Sequence, residues 1–225
     1  MQQDQTYKEL FLQPEMLRAL LEVYGPKGLA ESLDFSTLED IGTELLGSKG
    51  QKRQSDLIFK IRFQEKCFLY LILLLEVQQN QYRGLLVLRM LEYITLIWKK
   101  ISDKEKDSKT LPPVLPILLH TGHQSFTRPT SIQEILSPYP KFLARFQPSF
   151  EFFLVDEFSQ QAKARKLFDP ASVLFLANHA DTIENYQLAI QRMQTLLLDE
   201  KLGTIVELMG KGCDSLVEKF LISLK

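Results

Sequence analysis

Two cysteines in a chain of 225 residues, Cys67 and Cys213, are too few for a disulfide framework or a cysteine-based zinc site. Histidine is almost as scarce: His120-Thr121-Gly122-His123 is followed only by His179. Two histidines in a glycine turn with a third far away do not close a zinc site, so this stretch reads as a turn. The longest apolar run, around Phe68 to Leu75, falls far short of the roughly 20 residues of a membrane span. No basic-then-apolar leader opens the chain, which makes no membrane contact and the cytoplasm the default expectations. Net charge is also lacking, at −1 with a pI near 6.3. Such a chain does not bind nucleic acid over its whole surface, so any DNA contact must be local. Internal repeats, low-complexity tracts, a glycine-rich phosphate loop and a Ser-His-Asp order are absent as well.

What is present is enough apolar residue, 45%, for one well-cored domain with an appendage. Its most informative stretch is a hairpin. From Asp56 the segment DLIFKIRF sets Leu57, Phe59, Ile61 and Phe63 on one face and Asp56, Ile58, Lys60 and Arg62 on the other. That period of two marks a half-buried strand. After Gln64-Glu65-Lys66 the run CFLYLILLLEV loses alternation, as a central strand covered on both faces does. Pairing Phe63 with Cys67 across that loop sets Asp56 opposite Leu74, with Glu76 its diagonal neighbour at roughly 7 Å. Gln78 shares the face of Glu76.

Two acids so placed suit a hard divalent cation such as Mg²⁺, with the carbonyl of Val77 as a third protein oxygen. The alternative is that Asp56 and Glu76 only mark the solvated ends of two strands. A slip of one residue in register would turn Glu76 to the other face.

An Asp on one strand followed by Glu-x-Gln on the next resembles the PD-(D/E)xK nuclease core, with Gln78 where lysine is usual. The flanking segments YKELF, LDFSTLE, RQSDLIFKIR, LLLEVQ, VLRMLEYITLIW and LPPVLPILLHTG resemble, in order and spacing, the recombination-promoting nucleases (Rpn), also labelled YhgA-like transposases. The likeness runs from Tyr7 to about Phe153. It implies an α/β (α+β) fold of the restriction-endonuclease type, with a mixed sheet flanked by helices. It also implies a Mg²⁺-dependent DNA endonuclease linked to recombination or mobile DNA. Asp56 and Glu76 would then be catalytic and metal-binding, Val77 a metal ligand and Gln78 the group that orients water. Glu9, on the first helix, would be a further acid of the site. The competing reading is a non-catalytic nucleic-acid-binding or assembly protein on the same fold.

Elsewhere the patterns predict helices and strands to support that hairpin. Thr6-Tyr7-Lys8-Glu9 has the form of a capping box, which would give Glu9 a structural role instead. Its helix should end near Leu12, and Pro14 should open a second helix through Tyr24. LDFSTLEDIGTELL reads as a first strand, and Gly47 to Arg53 as a polar turn into Asp56. A helix apolar nearly all round is expected from about Tyr82 to Lys100, placing Arg89 and Tyr93 on one face. Ser102 to Lys109 reads as a loop, LPPVLPILLH as a parallel strand beside the hairpin, and SFEFFLVDEF as a final strand. From Asp169 onward amphipathic helices take over, with caps or breaks at Asn178, Gly203 and Gly210 to Gly212. The resulting division is a nuclease-like domain over 1–168 and a helical extension over 169–225 that caps the core or forms a homodimer surface. Lys49, Lys52 and Arg53 precede Asp56, and Lys60 and Arg62 follow it on its strand face. As a group they are the candidates for DNA backbone contact.

Overall fold

The computed structural model describes residues 2–42, 56–63, 67–76, 86–104 and 109–212. Five strands form one mixed sheet in the order β1-β2-β3-β4-β5. They are β1 (Leu33–Asp40), β2 (Asp56–Phe63), β3 (Cys67–Glu76), β4 (Val114–His120) and β5 (Phe153–Asp156). β1, β2 and β3 run antiparallel to one another, whereas β4 lies parallel to β3 and β5 parallel to β4.

β3 explains the layering. Leu69, Leu71, Leu73 and Leu75 pack into one apolar cluster, and Ile72 and Leu74 pack into another on the opposite face. Helices α1 (Gln2–Phe11) and α2 (Pro14–Tyr24) cover the first face through Leu10, Phe11, Leu17 and Leu20. Helix α3 (Leu86–Lys104) covers the second through Leu86, Met90, Tyr93, Ile94 and Ile97. That helix is not apolar all round as its composition suggests. Its buried residues form one stripe, while Leu88 is half exposed and Glu92 and Lys99 face water. It also continues to Lys104, so the charged stretch after Ser102 begins as helix.

The carboxy-terminal part is helical, with α4 (Glu157–Ala164), α5 (Pro170–Asn178), α6 (Ile183–Leu196) and α7 (Gly203–Gly212). Asp169 caps α5 by accepting the Ser172 backbone N–H at 2.9 Å, and Pro170 fills the first turn. Ala171, Val173, Leu174 and Phe175 of α5 belong to the same apolar cluster as Phe59 and Leu73 of the sheet.

Several local expectations are corrected. Thr6 lies in the middle of α1, which starts four residues earlier, so Thr6 and Glu9 are not a capping box. β1 stops at Asp40, whose carboxylate turns the chain by accepting the Gly42 N–H at 3.0 Å. Its register breaks between Asp34 and Glu39, where the Thr37 hydroxyl accepts the Arg62 N–H in place of a backbone carbonyl. The final strand is shorter than its alternation: Phe150 and Phe152 pair instead with Ile132 and Thr130, and the chain turns helical at Glu157. Gly210 sits inside α7 and does not break it. Cys67, which the run CFLYLILLLEV puts in a buried strand pattern as an inert free thiol, is free but exposed at the first position of β3, and Cys213 lies outside the described residues.

Candidate functional site

Phe63 pairs with Cys67, and the ladder runs without a bulge to Asp56 opposite Leu74. Glu76 follows Leu74 by two residues and occupies the same face of β3, the diagonal position from Asp56. On that face lie Ile58, Ile72 and Leu74, packed under α3. Val77 and Gln78 lie outside the described residues, as do Lys49, Lys52 and Arg53.

The parallel half of the sheet extends this row. Glu76 is the register partner of His120 on β4, and His120 is the register partner of Asp156 on β5. Three strands therefore end side by side on an acid, an imidazole and an acid. His120 is fully buried and Asp156 nearly so. The sequence marked His120 only as part of a turn and left Asp156 inside a strand pattern. The signal was their place at the ends of two parallel strands, but the offset between those strands cannot be read from either one.

Each of the two is held on one side and open on the other. His120 Nε2 lies 3.0 Å from the carbonyl oxygen of Gln124. Asp156 Oδ2 accepts the backbone N–H of Phe126 at 3.1 Å and the hydroxyl of Ser159. His120 Nδ1 and Asp156 Oδ1 are buried with no hydrogen-bond partner among the described residues. Buried polar atoms are normally paired, so such atoms call for an explanation.

Glu9 lies in the last part of α1, where its carboxylate accepts from the Gln5 side chain at 2.8 Å. Two residues earlier, the Tyr7 hydroxyl donates to Glu157 at 3.1 Å, which ties α1 to the chain just beyond β5. Glu157 also accepts from Asn178 at 2.8 Å and lies 3.3 Å from His179 Nε2 in a buried cluster. His123 packs its ring edge-on to His179 at 5.6 Å. Among the described residues no group of three His, Cys, Asp or Glu is arranged to hold a metal. Neither the Asp56 nor the Glu76 side chain is among them.

Of the proposed DNA-contacting cations, Lys60 sits over the Phe68 ring at 4.3 Å, and Arg62 pairs with Asp34 at 3.4 Å. The Ser36 hydroxyl beside Asp34, and less strongly Arg62, holds that carboxyl below its usual range. Arg89 and Tyr93 do share a face of α3: Arg89 Nε donates to the Tyr93 hydroxyl at 3.4 Å.

No helix among the described residues is long and apolar enough to cross a membrane. No curated protein and no solved structure matches the chain. A family model does, over residues 1–202 of 225, under the description "putative transposase, YhgA-like". With nine-tenths of its length matched, the chain belongs to the YhgA-like transposase family.

Proposed function

We propose that the chain is a metal-dependent DNA endonuclease that hydrolyses phosphodiester bonds and acts in recombination or on mobile DNA. The observation that carries this reading is the register of β2 on β3, which sets Asp56 and Glu76 at diagonal positions of one face. Membership of a transposase family supports DNA as the substrate.

The residues present fit a divalent cation. Two acids at neighbouring strand ends supply hard oxygen donors, and the buried, unpartnered Asp156 Oδ1 and His120 Nδ1 lie in the same row. A Mg²⁺ or similar ion held there supplies Lewis acidity, lowering the pKa of a water and offsetting charge on the scissile phosphate. Asp56 and Glu76 would act as its ligands, together with the Val77 carbonyl. Gln78, two residues beyond Glu76 in the sequence, would orient the attacking water through hydrogen bonds alone, since it lacks the positive charge of lysine. Glu9 would join from α1, which packs on the other face of the sheet and is tied by the Tyr7–Glu157 bond to the chain just beyond β5.

The test is nicking of a supercoiled plasmid with and without Mg²⁺. Wild type should cut only with metal, and Asp56→Ala and Glu76→Ala should not cut, while each keeps its thermal transition. Glu9→Gln should be inactive but stable if Glu9 is a ligand. Wild-type protein that binds DNA but never cuts it would replace this reading with a non-catalytic DNA-binding or assembly role, which the net charge of −1 favours over surface-wide binding.

A further inference from the structure

His120 is held as a ligand is held. A carbonyl oxygen can only accept, so the Nε2 that meets Gln124 O at 3.0 Å carries the proton. In the neutral ring this leaves Nδ1 with a bare lone pair, buried and without a partner among the described residues. The surrounding chain fixes the ring in that pose. A Cβ at position 122 would fall 2.6 Å from Cε1 and 2.8 Å from Nε2, so only glycine lets the backbone fold over the imidazole. Phe126 meets the ring edge-on at 5.4 Å, and Asp156 anchors Phe126 through its backbone N–H. An imidazole whose one N–H is spent on a backbone carbonyl, with the other nitrogen free, is the usual state of a metal-ligating histidine. The register partner of this one on the neighbouring strand is Glu76.

We propose that His120 supplies, through Nδ1, a nitrogen ligand to the cation held by Asp56 and Glu76. The site therefore favours a first-row transition ion such as Mn²⁺ over Mg²⁺. This rests on the metal-site reading above and adds a donor type to it. Mg²⁺ prefers oxygen alone and keeps its waters, whereas imidazole is a better donor to the transition ions. Asp156 serves as a positioning residue, since it holds the loop whose carbonyl orients the ring.

The experiment is calorimetric titration of Mn²⁺ and of Mg²⁺ into wild type, His120→Gln and Asp56→Ala. Wild type should bind Mn²⁺ more tightly than Mg²⁺. His120→Gln should lose on the order of tenfold or more in Mn²⁺ affinity and change much less toward Mg²⁺. An unchanged ratio of the two affinities in His120→Gln, with binding abolished in Asp56→Ala, overturns the histidine ligand and leaves the acidic site standing. Wild type that binds neither ion overturns both. A second measurement needs no substitution: in ¹⁵N-histidine-labelled wild type, the Nδ1 resonance of His120 should shift when Cd²⁺ is added. An unmoved resonance in metal-bound protein overturns the proposal even if His120→Gln does not fold.

Discussion

Asp156 Oδ2 accepts the Phe126 backbone N–H at 3.1 Å, tying the loop after β4 to the end of β5. The same oxygen takes the Ser159 hydroxyl from the first turn of α4. Asp156→Ala leaves a part-buried N–H without this acceptor and should cost about 1 kcal/mol of stability or somewhat more. Asp156→Asn retains a carbonyl oxygen for Phe126 and should lose less. Urea unfolding of the two variants distinguishes them; equal and negligible losses would mean that the tie is not what holds the loop.

Glu157, one residue on, joins three helices. Its Oε2 accepts from Tyr7 of α1 and Asn178 of α5 and lies against His179, all within a buried cluster. Removing the carboxylate deletes the acceptor these groups share, so Glu157→Ala should cost more than the loss of any one of the bonds, about 1–3 kcal/mol or above. Tyr7→Phe removes the hydroxyl that donates to Glu157 and should cost about 1 kcal/mol. Chemical denaturation should rank the variants in that order, and a Glu157→Ala protein as stable as Tyr7→Phe would show that the network contributes little.

How far these features could be read from sequence depended on whether the information was local. The hairpin register followed from the three-residue connection Gln64-Glu65-Lys66 and the period of two, and Phe63 does pair with Cys67. The row Glu76–His120–Asp156 did not follow, because parallel strands are joined by crossovers whose length leaves the offset open. Glu157 was hidden differently: SFEFFLVDEF keeps its alternation after the backbone has turned helical. At the start of the chain the polar run Gln2 to Gln5 carries no apolar period. The motif at Thr6 therefore looked like a beginning when it was the middle of α1. In β1 the bonds among Asp34, Ser36 and Thr37 draw the strand out of register, a side-chain competition with the ladder that strand propensity does not report.

Tyr24 links α2 to α5 through a 2.8 Å hydrogen bond between its hydroxyl and that of Ser172. Burial pushes its pKa from 10.0 up to about 12, assisted by the nearby negative charges of Asp169 and Glu157 and opposed by the Ser172 bond. A folded pKa above the unfolded one means that the folded state holds the proton more tightly. The associated stability is complete below pH 10 and is lost as pH rises through about 12. Tyr24→Phe should lose about 1 kcal/mol at neutral pH for the missing hydrogen bond. It should also show a smaller fall in stability than wild type across that alkaline window. Urea midpoints for both proteins at neutral and alkaline pH provide the comparison; parallel losses would place the alkaline sensitivity elsewhere.

The cations proposed to contact DNA are not equivalent. Lys60 stands four residues along β2 from Asp56, about 13 Å at the usual strand rise, and Arg62 about 20 Å away. Lys60 lies over the Phe68 ring, a contact that orients the ammonium without cancelling its charge. Arg62 is about half exposed and paired with Asp34, so its field is partly offset before any phosphate approaches. Lys52 and Arg53 precede Asp56 by four and three residues, so Arg53 is the nearest of the group along the chain. If the DNA backbone crosses the strand end at Asp56, replacing Lys52 and Arg53 together by alanine should flatten the salt dependence of log affinity by roughly two. Lys60→Ala should flatten it by roughly one, and Arg62→Ala by less, because its loss also frees the Asp34 carboxylate. Each effect should be the same for unrelated DNA sequences, since backbone contacts position the duplex without reading it. Fluorescence anisotropy over a range of about 50–200 mM salt measures these slopes. A Lys52 and Arg53 double variant with the wild-type slope would move the DNA track away from the strand that carries Asp56.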